Sequence, residues 1–302
     1  MRVLRTPDDC FAGVPDFDYA PQYVDIGNGS DGELRVHYVD AGPPGGPLVV
    51  LMHGEPTWSF LYRRLIPVLT AAGLRVIAPD LVGFGRSDKP TEVADHTYSR
   101  HVEWMRAALF DRLDLRHTTL VCHDWGGLIG LRLVAEHPDR FARVIATNTG
   151  LPNGRYRMPA PWWRFHDFVV GTPDLPVGFL VSRGCRTEMT PEVIAAYDAP
   201  FPGPEFKAGP RAMPALIPQS PDDPETPAQQ RAWAALTQFD KPFLTAFSDS
   251  DPITAGVAEP MRALIPGAAG QPHTSIAGGG HFVQEDCGPE LARVIVDFVG
   301  AT

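Results

Sequence analysis

Cysteine is scarce: the 302 residues contain four, Cys10, Cys122, Cys185 and Cys287, with no CxxC pair and no metal-ligand spacing. Four scattered thiols in a chain of this length exclude a disulfide framework and read as free, mostly buried side chains. Long hydrophobic runs are missing as well. Stretches such as Pro47 to Met52 fall far short of the roughly 20 apolar residues a membrane-crossing helix needs. The opening MRVLRTPDDC has no apolar signal core, so a soluble, cytoplasmic protein is expected. Positive charge is in deficit, 26 Lys+Arg against 36 Asp+Glu for a net charge of −10, and no basic run occurs. Nucleic acid and anionic membranes, which need clustered Lys or Arg, are therefore poor partners. No phosphate loop follows a strand, and Gly83-Phe-Gly85 lacks the third glycine of a dinucleotide site. Neither a metal nor an organic cofactor is expected.

What remains is an ordinary globular composition, 44% apolar and 21% charged, long enough for two domains or one large α/β domain with an insertion. Phe17–Ile26 and Glu33–Asp40 alternate and read as antiparallel strands. Pro47–Met52, Leu74–Pro79, Thr118–Cys122, Arg143–Thr147, Lys241–Phe247 and His273–Ile276 are apolar or β-branched runs that fit strands buried on both faces. Helical periodicity lies at Ser59–Ala72, Tyr98–Leu113, Leu128–Glu136 and Pro289–Val299. The alternation predicts an α/β fold, a mostly parallel central sheet with helices on both faces. Residues 151–230 differ: 15 of the 32 prolines fall there and strand-like runs vanish. They read as an inserted helical cap, with 1–150 and 231–302 forming the main domain.

Chemistry concentrates at Val121-Cys122-His123-Asp124-Trp125-Gly126-Gly127. A buried strand, one presented side chain and small residues that let a helix begin at once make the nucleophile elbow of α/β-hydrolases, with Asp124 where serine usually sits. An Asp at this place is also a good helix cap. His53-Gly54-Glu55-Pro56 follows the third strand run, where such folds carry an oxyanion loop, although a tight Gly-Pro turn would look the same. A Glu55 N–H there would join that of Trp125 as a pair of fixed oxyanion donors. Gly278-Gly-Gly-His281 sets a histidine in a glycine-rich loop after the last strand, at the sheet end where open α/β sheets bind ligands. His53 and His123 read as structural hydrogen-bonders. The loop Ser248–Pro252 offers two acids, Asp251 as first choice and Asp249 as its competitor, while the position after the preceding strand holds uncharged Asn148. Nucleophile 124, acid 251 and base 281 follow the chain order of α/β-hydrolases.

The set HGEPTWSFLYRRL (53–65), PDLVGFGRSDKP (79–90), HDWGG (123–127), YDAPFP (197–202) and GGGHFVQED (278–286) resembles the haloalkane dehalogenases, and the late acid resembles their first subfamily. The resemblance spans essentially the whole chain. It implies Asp124 as nucleophile, Asp251 as acid, His281 as base, and Glu55 and Trp125 as oxyanion donors. It also implies two halide-binding indoles, Trp125 and a cap tryptophan, for which the adjacent Trp162 and Trp163 both offer themselves and Trp163 is the better match. The substrate would be a small apolar haloalkane and the products an alcohol, halide and a proton, with a monomer as the default state.

Those residue types suit the reaction. A carboxylate attacking an sp³ carbon forms an ester that water can cleave, whereas serine would form an inert ether. His281 would take the water's proton and Asp251 would stabilise the imidazolium. Indole N–H groups suit a halide because they donate and never accept. An epoxide hydrolase of the same fold is the main alternative; it would call on two cap tyrosines, and the cap holds Tyr156 and Tyr197. A haloacetate dehalogenase would need arginines beside the nucleophile, and the first after Asp124 is Arg132. A non-catalytic ligand receptor would have lost a member of the triad. Phe165, Phe168, Phe179 and Leu180 are candidate pocket residues.

Overall fold

The computed structural model describes residues 1–29 and 32–302. Eight strands form one twisted sheet: β1 (Gln22–Gly27), β2 (Glu33–Ala41), β3 (Leu48–Met52), β4 (Arg75–Pro79), β5 (Thr118–His123), β6 (Phe141–Thr147), β7 (Phe243–Ser248) and β8 (Thr274–Ile276). Their spatial order is β8-β7-β6-β5-β3-β4-β2-β1. Only the pairings of β2 with β1 and with β4 are antiparallel; every other neighbour is parallel. The apolar runs explain this placement, since β3, β4 and β5 are buried almost residue for residue and need cover on both faces. A separate two-residue ladder pairs Val3–Leu4 with Lys89–Pro90.

Several boundaries differ from the sequence reading. The first strand begins at Gln22, because Pro21 has no N–H to donate to a ladder. Phe17 instead packs its ring edge-on against Tyr19, Trp58 and Phe60. The expected helix 59–72 is a 3-10 turn at Ser59–Tyr62 followed by a helix at Ile66–Ala71. The helix over 98–113 turns π-helical from Ala107 to Arg112. The last helix begins earlier than expected and runs Val283–Ala301, with non-helical Cys287 just ahead of Pro289.

Between β6 and β7 the chain is helical, with helices at Ala160–Gly171, Val177–Gly184, Pro191–Asp198, Ala208–Ala212 and Thr226–Leu236. A division at 230/231 would cut the last of these. That helix lies along the main domain, where Gln229 accepts from Arg132 at 3.1 Å and donates to the Tyr98 hydroxyl at 2.9 Å. The cap is therefore a run of short helices whose final element already belongs to the layer covering the sheet.

A fully buried ionic cluster ties cap to sheet. Arg63, after the first 3-10 turn, forms a two-pronged pair with Glu285 of the last helix, Nη2 to Oε2 at 2.8 Å. The hydroxyl of Tyr197, in the cap helix Pro191–Asp198, donates to the same carboxylate. One residue before it, Ala196 accepts the Trp58 indole N–H at 3.0 Å. Removing one member of such a pair strands its partner's charge away from water. Glu285→Ala should therefore cost about 3–5 kcal/mol in denaturant unfolding, and an unchanged midpoint would show that the cap is held some other way.

Candidate active site

Strand β5 is buried along its whole length and delivers Asp124 at its carboxyl end. The residue sits at φ +47°, in the left-handed region that an L side chain enters only under constraint. The constraint is the close crossing of the helix Asp124–Glu136 over its neighbours. A Cβ at Gly126 would stand 2.1 Å from the Met52 carbonyl, and one at Gly127 would stand 1.9 Å from the Thr149 hydroxyl. The Asp124 side chain makes no helix cap. Its Oδ1 instead accepts the Glu55 N–H at 2.8 Å, while its own N–H goes to the Asn148 carbonyl at 3.1 Å and its carbonyl accepts the Thr149 hydroxyl at 2.7 Å.

The other oxygen of Asp124, Oδ2, lies 3.5 Å from His281 Nε2, and His281 Nδ1 lies 2.9 Å from Asp251 Oδ2. Asp251 is further held by the Ile253 N–H at 2.9 Å and by the Thr254 hydroxyl. Asp249 does not reach the histidine: its Oδ1 accepts the Gly278 N–H at 3.0 Å and the Ser250 hydroxyl at 2.9 Å, shaping the two loops. The His281 carbonyl is gripped by His123 Nε2 at 2.8 Å and by Asn148 Nδ2 at 2.9 Å, and its N–H donates to Gly184 of the cap at 2.8 Å. His53 accepts the Leu81 N–H at Nε2 at 2.9 Å and bonds the Gly54 carbonyl through Nδ1 at 2.9 Å.

Opposing forces set the charges. Burial pushes the Asp124 carboxyl up, but hydrogen bonding to His281, the charges of His281 and His123, and the Trp125 N–H together bring it below its ordinary value. Burial alone would lower His281; the charge of Asp251 and hydrogen bonds to Asp124 and Asp251 raise it to about 10. Asp251 is held below its ordinary value despite burial, chiefly by His281. Glu55 goes the other way: burial, and then the charge of Asp124, drive its carboxyl well above the usual range. Its Oε1 is fully enclosed without a partner. Glu55 thus holds its proton more tightly than an ordinary carboxyl, beside the Asp124 carboxylate.

A cavity of about 370 Å³ opens over this cluster and is lined by Glu55, Asp124, Trp125 and His281 from the main domain and by Trp162, Phe165 and Leu180 from the cap. Phe168 and Phe179 face solvent instead. Trp163, the expected cap donor, does not line it. The wall is built by Trp162, 4% exposed, because one residue is about 100° of helical turn and only one of the pair can face inward. The Trp163 indole nitrogen is enclosed without a partner elsewhere, and its ring sits under Arg157 at 5.3 Å. The indole nitrogens of Trp125 and Trp162 have no protein acceptor among the described residues. The two cap tyrosines are turned away from this cavity: Tyr197 is spent on Glu285 and Tyr156 is 80% exposed. Among the described residues no group of three or more His, Cys, Asp or Glu is arranged to hold a metal ion, and no helix is long and apolar enough to cross a membrane.

Sequence reasoning missed Thr254, which completes the setting of Asp251, and Asn148 as the tie between the loops after β6, β7 and β8. Asp251-Pro-Ile-Thr254 carries the signal for the first, an Asp followed at i+2 and i+3 by groups that cap it. Asn148 had none, because its four side-chain hydrogen bonds go to three distant residues, Ser248 at the end of β7 and Gly280 and His281 in the loop after β8.

Comparison with known proteins adds independent information. The alpha/beta hydrolase fold family matches residues 47–169. A haloalkane dehalogenase of Psychrobacter cryohalolentis is 52% identical over 99% of this chain and 98% of its own length. One from Mycobacterium marinum is 50% identical over 99% of this chain and 100% of its own. The tetrameric haloalkane dehalogenase DpaA of Paraglaciecola agarilytica superimposes with a TM-score of 0.88 at 36% identity, covering 97% of both chains.

The charge arrangement has a measurable consequence. His281 is raised from 6.5 to about 10, so its contribution to stability is complete below pH 6.5 and is lost as pH rises through about 10. Asp251→Asn removes the largest raising influence. Its His281 resonance should titrate well below the wild-type position, and unfolding stability should fall less steeply between pH 6.5 and 10. An unmoved titration would exclude Asp251 as the group that charges the imidazole.

Proposed function

The chain belongs to the haloalkane dehalogenases, hydrolases of carbon–halide bonds with the α/β-hydrolase fold, and from that premise we propose that Asp124 is its nucleophile. The observation that carries this reading is the division of labour between the two oxygens of Asp124. Oδ1 is held by the Glu55 N–H at 2.8 Å, while Oδ2 faces the cavity and His281 at 3.5 Å. Oδ2 attacks the halogen-bearing carbon, the C–O bond forms as the C–halogen bond breaks, and halide departs with the bonding pair. Trp125 and Trp162 receive the halide through indole N–H groups that have no other acceptor.

Oδ1 then becomes the carbonyl oxygen of an alkyl ester, already beside the donors that stabilise the oxyanion when water attacks. Asp124 is now neutral, so two of the influences that raise His281 disappear. The imidazolium gives its proton to solvent and the neutral ring becomes a base with Asp251 behind it. Attack of water returns one proton to His281 and frees the alcohol and Asp124. The displacement thus runs beside an ion pair and the hydrolysis beside a neutral imidazole. The short helices between β6 and the helix Thr226–Leu236 act as the cap that closes an apolar cavity over the chemistry.

Two experiments test this scheme. His281→Gln should still displace one bromide per chain, so an ester accumulates and mass spectrometry finds the alkyl group on the peptide containing Asp124; Asp124→Ala should give neither ester nor turnover. Label on another peptide would refute the nucleophile. For the halide site, Trp125→Phe and Trp162→Phe each remove a donor to a charged group, worth about 1.5–3 kcal/mol in halide affinity and in kcat/KM. Trp163→Phe should leave halide affinity unchanged. If Trp163→Phe weakens it and Trp162→Phe does not, the cap donor is the other indole.

A further inference from the structure

The catalytic cavity is apolar along its length, through Pro161, Phe165, Leu180, Pro214, Ile217 and Phe282, but its rim is not. Arg183 and Arg186 line it there, both exposed. Neither guanidinium has a hydrogen-bond or ion-pair partner among the described residues. Elsewhere on this acidic chain arginines such as Arg75, Arg106 and Arg140 are paired with carboxylates. Asp286, next to this segment, is occupied by the N–H groups of Gly280, Arg186 and Thr187 and by the Thr187 hydroxyl. Two unneutralised cations at the mouth of an apolar slot attract an anion.

From this juxtaposition we propose that the substrates include ω-haloalkanoates, carboxylates with a terminal halogen, bound with the halogen at Asp124 and the carboxylate at Arg183 and Arg186. The inference rests on the proposed role of Asp124 and names the substrate class that its cavity favours. The cluster holds two carboxylates, Asp124 and Asp251, against the single imidazole of His281, which favours seating the anionic end at the rim rather than beside the nucleophile. The rim is pinned to the catalytic loop, since the Gly184 carbonyl accepts the His281 N–H at 2.8 Å and Asp286 takes both the Arg186 and Gly280 N–H groups. A second cavity of about 680 Å³ also reaches Asp124 and Trp162 and carries Arg155 and Arg157, but neither Trp125 nor His281 lines it and Arg157 already lies over the Trp163 ring. In the reaction, Oδ2 of Asp124 bonds to the ω-carbon as the halide leaves with its electron pair. Hydrolysis of the ester releases an ω-hydroxyalkanoate and a proton.

The test is bromide release by the full-length protein from ω-bromoalkanoates of increasing length, each compared with the ω-bromoalkanol and 1-bromoalkane of equal length. The longer bromoalkanoates should show a kcat/KM above that of the matching alkanol, carried by KM and shrinking at high ionic strength. Arg183→Gln/Arg186→Gln should reduce the alkanoate-to-alkanol ratio roughly three- to tenfold. Arg183→Lys/Arg186→Lys should keep part of it and Arg155→Gln/Arg157→Gln all of it. The proposal is overturned if bromoalkanes turn over while bromoalkanoates of every length lag behind the alkanols, or if the ratio survives in the double Gln variant. Absence of bromide release from every bromoalkane would instead overturn the Asp124 reading beneath it.

Discussion

An ionised carboxylate kept inside a largely apolar cavity is the constraint around which this molecule is organised. Taking such a charge out of water costs several kcal/mol unless donors replace its hydration. Here the replacements are the Glu55 N–H, the Trp125 N–H and His281. Each comes from a different place in the chain, the loops after β3, β5 and β8, and Asp251 comes from the loop after β7. Only a sheet whose parallel strands all end on one side can bring those loops to one point. The fold is thus a device for concentrating donors at the carboxyl ends of its strands.

The same compactness links charge to chemistry. His281 lies between two carboxylates and is raised by both, while Glu55 is pushed up first by burial and then by the charge of Asp124. Consuming the charge of Asp124 therefore changes the proton affinity of everything that faces it. On the proposed scheme no conformational change is required for the histidine to pass from counter-ion to base. His123, pushed down to about 4 by burial and by the neighbouring imidazolium, stays neutral and serves as a donor to the His281 backbone.

The cap supplies what the sheet cannot, an apolar roof with one indole aimed inward. Its position is registered by the buried Arg63–Glu285–Tyr197 cluster, by the Gly184 carbonyl that accepts the His281 N–H and by the Arg186 N–H that donates to the Asp286 carboxylate of the last helix. Both links join the cap to the few residues around His281, so the roof and the base share one foundation.

Much of this was legible in the linear sequence. Apolar runs separated by helical periodicity specified a parallel α/β sheet because strands buried on both faces leave no polar alternation. The motif around Asp124 was readable because close crossing there permits only glycine at 126 and 127. Chain order identified Asp124, Asp251 and His281 as candidates that the fold then brings within hydrogen-bonding reach of one another. Three-dimensional structure alone decided which of Trp162 and Trp163 faces the cavity, since both sit in one helix and only its rotation against the sheet separates them. It also decided where the cap ends, because helix Thr226–Leu236 is placed by its contact with Arg132 and Tyr98 rather than by its own composition. The protonation of Glu55 and the role of Asn148 belong to tertiary structure for the same reason. Local pattern records what each residue is, whereas these properties depend on what distant loops set beside it.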